Sequence, residues 1–250
     1  MLIRSATEAP ASPARRQQTR RPPLRVGLVL VQHEWLDDHE ALRDQLSSGI
    51  GQAARLGARV VFLPELTLSK YPAHEPASPT AIEQAEDLLT GPTFHLAAEA
   101  ARRHQVCVHA SLFEHADRGD GLGYNTAVIV SPAGDLLGRT RKLHIPVTAG
   151  YHEDTYFRGG PPDDAYPVYR LDDLDGAAVG LPTCWDQWFP EVARAYSIGG
   201  AEILVYPTAI GSEPAFPDFD TQPLWQRVIV ANGIANGTFM VAPNRCGDEG

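Results

Sequence analysis

The chain has 250 residues, 43% hydrophobic and 21% charged, the balance of a globular domain able to bury a sizeable core. Its net charge of −10 disfavours nucleic acid or an anionic membrane surface as a partner. No apolar run approaches the length of a membrane span. Cys107, Cys184 and Cys246 are few, odd in number and far apart, which argues against a disulfide framework and for a reducing, cytoplasmic setting. No CxxC or clustered His/Cys spacing suggests a metal site.

Residues 1–23 hold five Arg against one Glu and show no hydrophobic periodicity, the pattern of an unstructured tail. Residues 24–250 read as one domain. Leu24 to Gln32 is a strand-length apolar run. Asp37 and Asp38 offer a cap to a helix carrying Leu42, Leu46, Ile50, Ala53 and Ala54, with Gly57 as its stop. Arg59 to Phe62 is a second strand, so the start is a βαβ unit that runs into Leu63-Pro64-Glu65-Leu66.

Helices are expected over Ala81–Leu89 and Pro92–His104, then a strand over Val106–Glu114. Arg118 to Gly123 has spaced glycines but leads into a strand, so it reads as a turn and not a phosphate loop. Tyr124–Val130 and Asp135–Leu143 form a hairpin, on which Asn125 is expected as a core side chain satisfying the backbone. His144 to Pro162 is a long loop of the kind that shapes a pocket. Tyr166–Leu171 and Ala177–Thr183 pair around Asp175-Gly176. A helix over Phe189–Ile198, a strand over Ala201–Thr208, a helix over Pro223–Asn236 and a strand over Thr238–Pro243 follow. Alternating strands and helices mixed with hairpins imply a mixed sheet covered by helices.

Three chemically capable residues stand at strand ends: Glu65, Lys142 and Cys184. Each has a plain structural reading, as a cap, a solvated charge and a small buried hydrophobe. Together they form a set for acyl transfer: a carboxylate to take the thiol proton, an ammonium to hold the oxyanion, and a nucleophile. Cys184 lies where a strand turns into a helix, whose free N–H groups would favour the thiolate. No GxSxG elbow and no GxxxxGK[ST] loop are present, which disfavours a serine hydrolase and an NTPase.

Residues 24–250 resemble the nitrilase-like carbon–nitrogen hydrolases, and within them the N-carbamoylputrescine amidases. The motifs are CWDQWFPE (184–191), YPTAIGSEP (206–214), RKLHIP (141–146), YNTAVIV (124–130), SLFE (111–114) and APNRCG (242–247). The resemblance implies a four-layer αββα sandwich, commonly paired with a second copy into a homo-oligomer. It makes Glu65 the general base, Lys142 the oxyanion lysine, Cys184 the nucleophile and Glu153 a second glutamate that orients them. No metal or cofactor is implied. The expected reaction cleaves a small ureido or amide substrate, N-carbamoylputrescine to putrescine, ammonia and carbon dioxide, as in polyamine biosynthesis. Removal of Lys142 is expected to abolish turnover.

For the substrate, the Trp185 N–H is expected at the oxyanion. Tyr151, Asp186, Trp188 and Glu213 are candidates for the ammonium end. A carbamoyl amino acid would instead need a basic clamp, for which Arg158 is the candidate. Two departures stand out: Pro182-Thr183 before the nucleophile, where a Pro suggests a strand end or bulge, and a chain that stops at Gly250, before the family's last strands and tail. These sustain two other readings: an amidase or nitrilase for another small substrate, and a weak or inactive relative that binds a ligand or partner.

Overall fold

The computed structural model describes residues 28–31, 34–148, 150–211, 216 and 218–249; the expected tail over 1–23 lies outside them. The first sheet has five strands in the order β1-β2-β3-β4-β5: Leu28–Leu30, Val60–Phe62, Cys107–Glu114, Tyr124–Val130 and Leu136–Arg141. β1, β2 and β3 run parallel, and β4 and β5 return antiparallel. Val147–Thr148 (β6) and Tyr151–His152 (β7) form a small hairpin inside the long loop. The second sheet comprises β8 (Val168–Leu171), β9 (Ala177–Gly180), β10 (Ile203–Val205) and β11 (Phe239–Val241), in the order β11-β10-β9-β8.

Alternation along each strand builds the layers. Val61 and Val108 face α1 (His39–Arg55) and α2 (Pro92–His104), packing on Leu42, Leu46, Ile50 and Leu96. Their neighbours Val60, Phe62 and Cys107 point the other way and meet Val179, Ile203 and Val205 of the second sheet. Leu204, between those last two, faces outward with Tyr206 onto Val192 and Tyr196 of α3 (Pro190–Ile198) and Ile229 of α4 (Gln222–Asn236). The result is helices, sheet, sheet, helices: the expected four-layer sandwich.

Local chemistry explains the boundaries. Asp38 caps α1 by accepting from the N–H groups of Glu40 and Ala41 at 2.9 and 3.1 Å. Gly180, the last residue of β9, has to be a glycine because a Cβ there would come within 2.5 Å of the Tyr196 ring. With the strand over at Gly180, Pro182 costs the sheet no ladder bond, as its place near a strand end implied.

The helix expected over Ala81–Leu89 is not formed; only a 3-10 turn over Ala81–Gln84 is present. Glu86 is drawn onto the end of β3, its N–H donating to Phe113 O at 2.7 Å and its carbonyl accepting from His115 N at 2.8 Å. Its carboxylate then accepts from the N–H and hydroxyl of Thr93, both at 2.7 Å, capping α2 from outside. Tertiary pairing thus overrides a helix-compatible sequence. Arg118 to Gly123 is a turn, as expected, with Gly119 and Gly121 at φ 69° and 78°.

Candidate active site

Three strand ends converge. Glu65 follows β2, Lys142 follows β5, and Cys184 lies just beyond β9. Glu65 and Lys142 belong to the first sheet and Cys184 to the second, so the site bridges the two sheets at their carboxyl ends.

Lys142 is fully buried, and its Nζ donates to Glu65 Oε1 at 3.0 Å and to Glu153 Oε1 and Oε2 at 2.8 and 2.7 Å. Burial alone would lower its pKa, but the charges of Glu153 and Glu65 overcome this and raise it, so the ammonium is held charged. Glu153 is itself pushed up to about 7, chiefly by burial, with Lys142 opposing and Glu65 reinforcing the shift. The Tyr71 hydroxyl donates to Glu153 Oε1 at 2.9 Å.

Glu65 Oε1 also accepts from Asn125 Nδ2 at 2.7 Å, and Asn125 Oδ1 accepts from the Ser111 hydroxyl at 3.3 Å. This corrects the reading of Asn125 as a backbone-satisfying core residue: its amide belongs to the carboxylate. Glu65 Oε2, by contrast, is buried with no hydrogen-bond partner among the described residues. One oxygen is fixed by two donors and the other is left to accept a proton.

Cys184 has φ 37°, a left-handed conformation unusual for a side chain with a Cβ, and it opens a five-residue 3-10 turn, Cys184–Trp188. Its thiol is buried, and its pKa is driven well above the ordinary value, by burial first and then by the Glu65 charge; Lys142 and a hydrogen bond from the Ala209 backbone oppose this. The help to the thiolate expected from a helix end is thus set against burial, which opposes it. Burial favours the protonated thiol, the form from which a base would have to remove a proton.

The other candidates divide. Tyr151, Trp185 and Trp188 form a chain of rings, with centroids 6.4 Å apart for Tyr151–Trp185 and 6.1 Å for Trp185–Trp188; Tyr71 extends it at 6.2 Å from Tyr151. Asp186 does not join them as an ammonium partner. Its carboxylate is buried and accepts from Thr183 N at 3.0 Å, His144 N at 2.9 Å and the His144 ring at 2.8 Å, holding the loop after Lys142 against the nucleophile's turn. Arg158 is tied through Nη2 to Asp120 and to Leu122 O. Glu213 lies outside the described residues. Among the described residues no group of three or more His, Cys, Asp or Glu is placed to share a metal ion, and no helix is long and apolar enough to cross a membrane.

A family model described as carbon-nitrogen hydrolase matches residues 25–250. The chain belongs to the carbon-nitrogen hydrolase family. A citrullinase of Francisella tularensis subsp. tularensis is 36% identical over 224 residues, covering 90% of this chain and 75% of its own. An N-carbamoylputrescine amidase of Solanum tuberosum is 36% identical over 216 residues, covering 84% and 69%. The crystal structure of a carbon-nitrogen hydrolase from Helicobacter pylori G27 superimposes with a TM-score of 0.77 at 30% identity, covering 88% of this chain and 73% of that one. As a member of this family the chain is an enzyme, a hydrolase of small-molecule carbon–nitrogen bonds.

Asn125 and Tyr71 were missed as site residues by sequence reasoning. For Asn125 the signal was present in YNTAVIV, a polar amide in an otherwise apolar buried strand. For Tyr71, in a Pro-rich loop, no local pattern points to the site.

Proposed function

We propose that this enzyme hydrolyses a linear ureido substrate through Cys184, and that the substrate is N-carbamoylputrescine. The observation that carries the chemistry is the buried Glu65 carboxylate, whose Oε2 has no hydrogen-bond partner among the described residues and whose charge bears on the buried Cys184 thiol. Glu65 takes the Cys184 proton as Sγ attacks the ureido carbon. Lys142 and the Trp185 N–H stabilise the oxyanion, with Glu153 and Tyr71 keeping Lys142 in place. The tetrahedral species collapses with cleavage of the bond to the terminal nitrogen, which leaves as ammonia with the proton from Glu65. Water then gives a proton to Glu65 and adds to the carbamoyl-thioester. The Cys184 thiolate leaves and is reprotonated, and the freed carbamate loses carbon dioxide to yield the amine.

The substrate assignment is supported by the ring chain of Tyr71, Tyr151, Trp185 and Trp188, whose faces suit an ammonium. Similarity to a citrullinase favours a second reading, in which the distal end carries an amino acid group. Against it, Arg141, Arg158 and Arg245, which lie in the segments that build the site, are each paired with a carboxylate: Glu114, Asp120 and Glu249. The three cysteines are free, which suits a reducing cytoplasmic setting. Ile198, Ile234 and Phe239, at 78%, 79% and 74% exposure on the α3, α4 and β11 side, support pairing with a second copy.

Ammonia release from N-carbamoylputrescine and citrulline, measured side by side, tests the substrate. The expected kcat/KM ratio favours N-carbamoylputrescine by about tenfold or more; a preference for citrulline replaces it with the second reading.

A further inference from the structure

Arg245 lies after β11, on the second sheet's side, yet its guanidinium reaches the turn that carries Glu65 on the first. Its Nε and Nη2 donate to Glu65 O at 3.1 and 2.8 Å, and Nη2 also donates to Leu66 O at 2.5 Å and to Ser69 O. Its Nη1 donates to Glu249 Oε1 at 2.5 Å, and the other oxygen of Glu249 accepts from Tyr71 N at 2.9 Å. The side chain is only 7% exposed.

The turn it grips is not self-sufficient. Leu66 has φ 48°, a left-handed conformation that costs a residue with a Cβ on the order of 1 kcal/mol or more and persists only where surroundings impose it. On the other side the turn is held by β3, with Leu66 N donating to the Ser111 hydroxyl at 3.2 Å and Thr67 N to Ser111 O at 2.8 Å.

The residue before Arg245 grips the nucleophile's side. Asn244 Nδ2 donates to Ile210 O at 2.8 Å, and its Oδ1 accepts from Ile210 N at 3.0 Å. Ile210 follows Ala209, whose backbone bonds the Cys184 thiol, and Cys184 N itself donates to Pro207 O at 3.0 Å. Two adjacent side chains therefore hold the segment after β10 that bonds Cys184 and the turn that carries the base.

We propose that Arg245 is a positioning residue that sets the distance between Glu65 and Cys184, which sit on separate sheets. The inference rests on the reading of Glu65 as base and Cys184 as nucleophile. A planar fork with five donors can reach several carbonyls and a carboxylate at once; a lysine ammonium has three donors at one point and cannot.

The test uses Arg245→Lys, alone and with Glu65→Gln, following ammonia release, thermal melting and the rate of Cys184 alkylation by iodoacetamide at neutral pH. The expected result is a folded R245K enzyme with kcat down about 100-fold, KM within about threefold, and alkylation slowed by a comparable factor. In the Glu65→Gln background, R245K should slow alkylation no further, since the base it positions is gone. Wild-type kcat in R245K, or an equal loss in both backgrounds, overturns the proposal. If Glu65→Gln alone releases ammonia as fast as wild type, the base assignment itself fails. Should R245K not fold, Glu249→Gln is expected to show the same Glu65-dependent loss at about fivefold. No loss there overturns the proposal equally.

Discussion

Removing the Asn125 amide leaves Glu65 Oε1 with Lys142 as its remaining donor and lets the carboxylate swing. Asn125→Ala is therefore expected to lower kcat by about 10- to 100-fold and stability by about 1–3 kcal/mol. Kinetics with a thermal melt read both, and an unchanged kcat would show that Lys142 alone suffices. The pH dependence follows from Glu153. Its carboxyl is raised from 4.5 to about 7, so it takes up a proton as pH falls through that range. Lys142 then loses one of its two charged partners, and kcat/KM is expected to decline on the acid side with a midpoint of about 7. Fold stability runs the opposite way: the share owed to the protonated carboxyl is full below 4.5 and is lost as pH rises through about 7. A rate profile flat from about pH 8 to 5.5 contradicts this account of Glu153.

At the scale of elements, α2 depends on a carboxylate that is not its own. Gly91 at its start offers no side chain, and Glu86 supplies the cap from the edge of β3. Glu86→Ala should cost about 1–2 kcal/mol, seen as a lower melting temperature, with kcat unchanged because α2 lies on the far side of the first sheet from the site. A stability loss within error of zero would mean water replaces the carboxylate freely. The same segment shows why sequence reading failed here. Ala81 to Leu89 is compatible with a helix, and only the β3 backbone, more than 20 residues later, diverts Glu86 into strand pairing. The Cys184 corner was legible for the opposite reason, since strand, nucleophile and the Pro190 helix start are contiguous in sequence.

Across the whole molecule, the four layers bring together residues that the chain holds far apart. Glu65, Lys142 and Cys184 could be found because each sits in a recognisable motif at a strand end. Tyr71 and Arg245 could not, because their roles rest on contacts to Glu153 and the Glu65–Ser69 turn that span 82 and about 180 residues; Asn125 left a polar mark in a buried strand, but its partner Glu65 lies 60 residues away. The burial that favours the protonated thiol belongs to the folded interior and leaves no mark in a motif. The central claim is that this interior hydrolyses a ureido carbon through Cys184. The most direct test is ammonia release from N-carbamoylputrescine by the wild-type chain beside Cys184→Ala, with melting curves for both. The account predicts release by the wild type and none by a variant that remains folded. Release that survives in folded Cys184→Ala would contradict it.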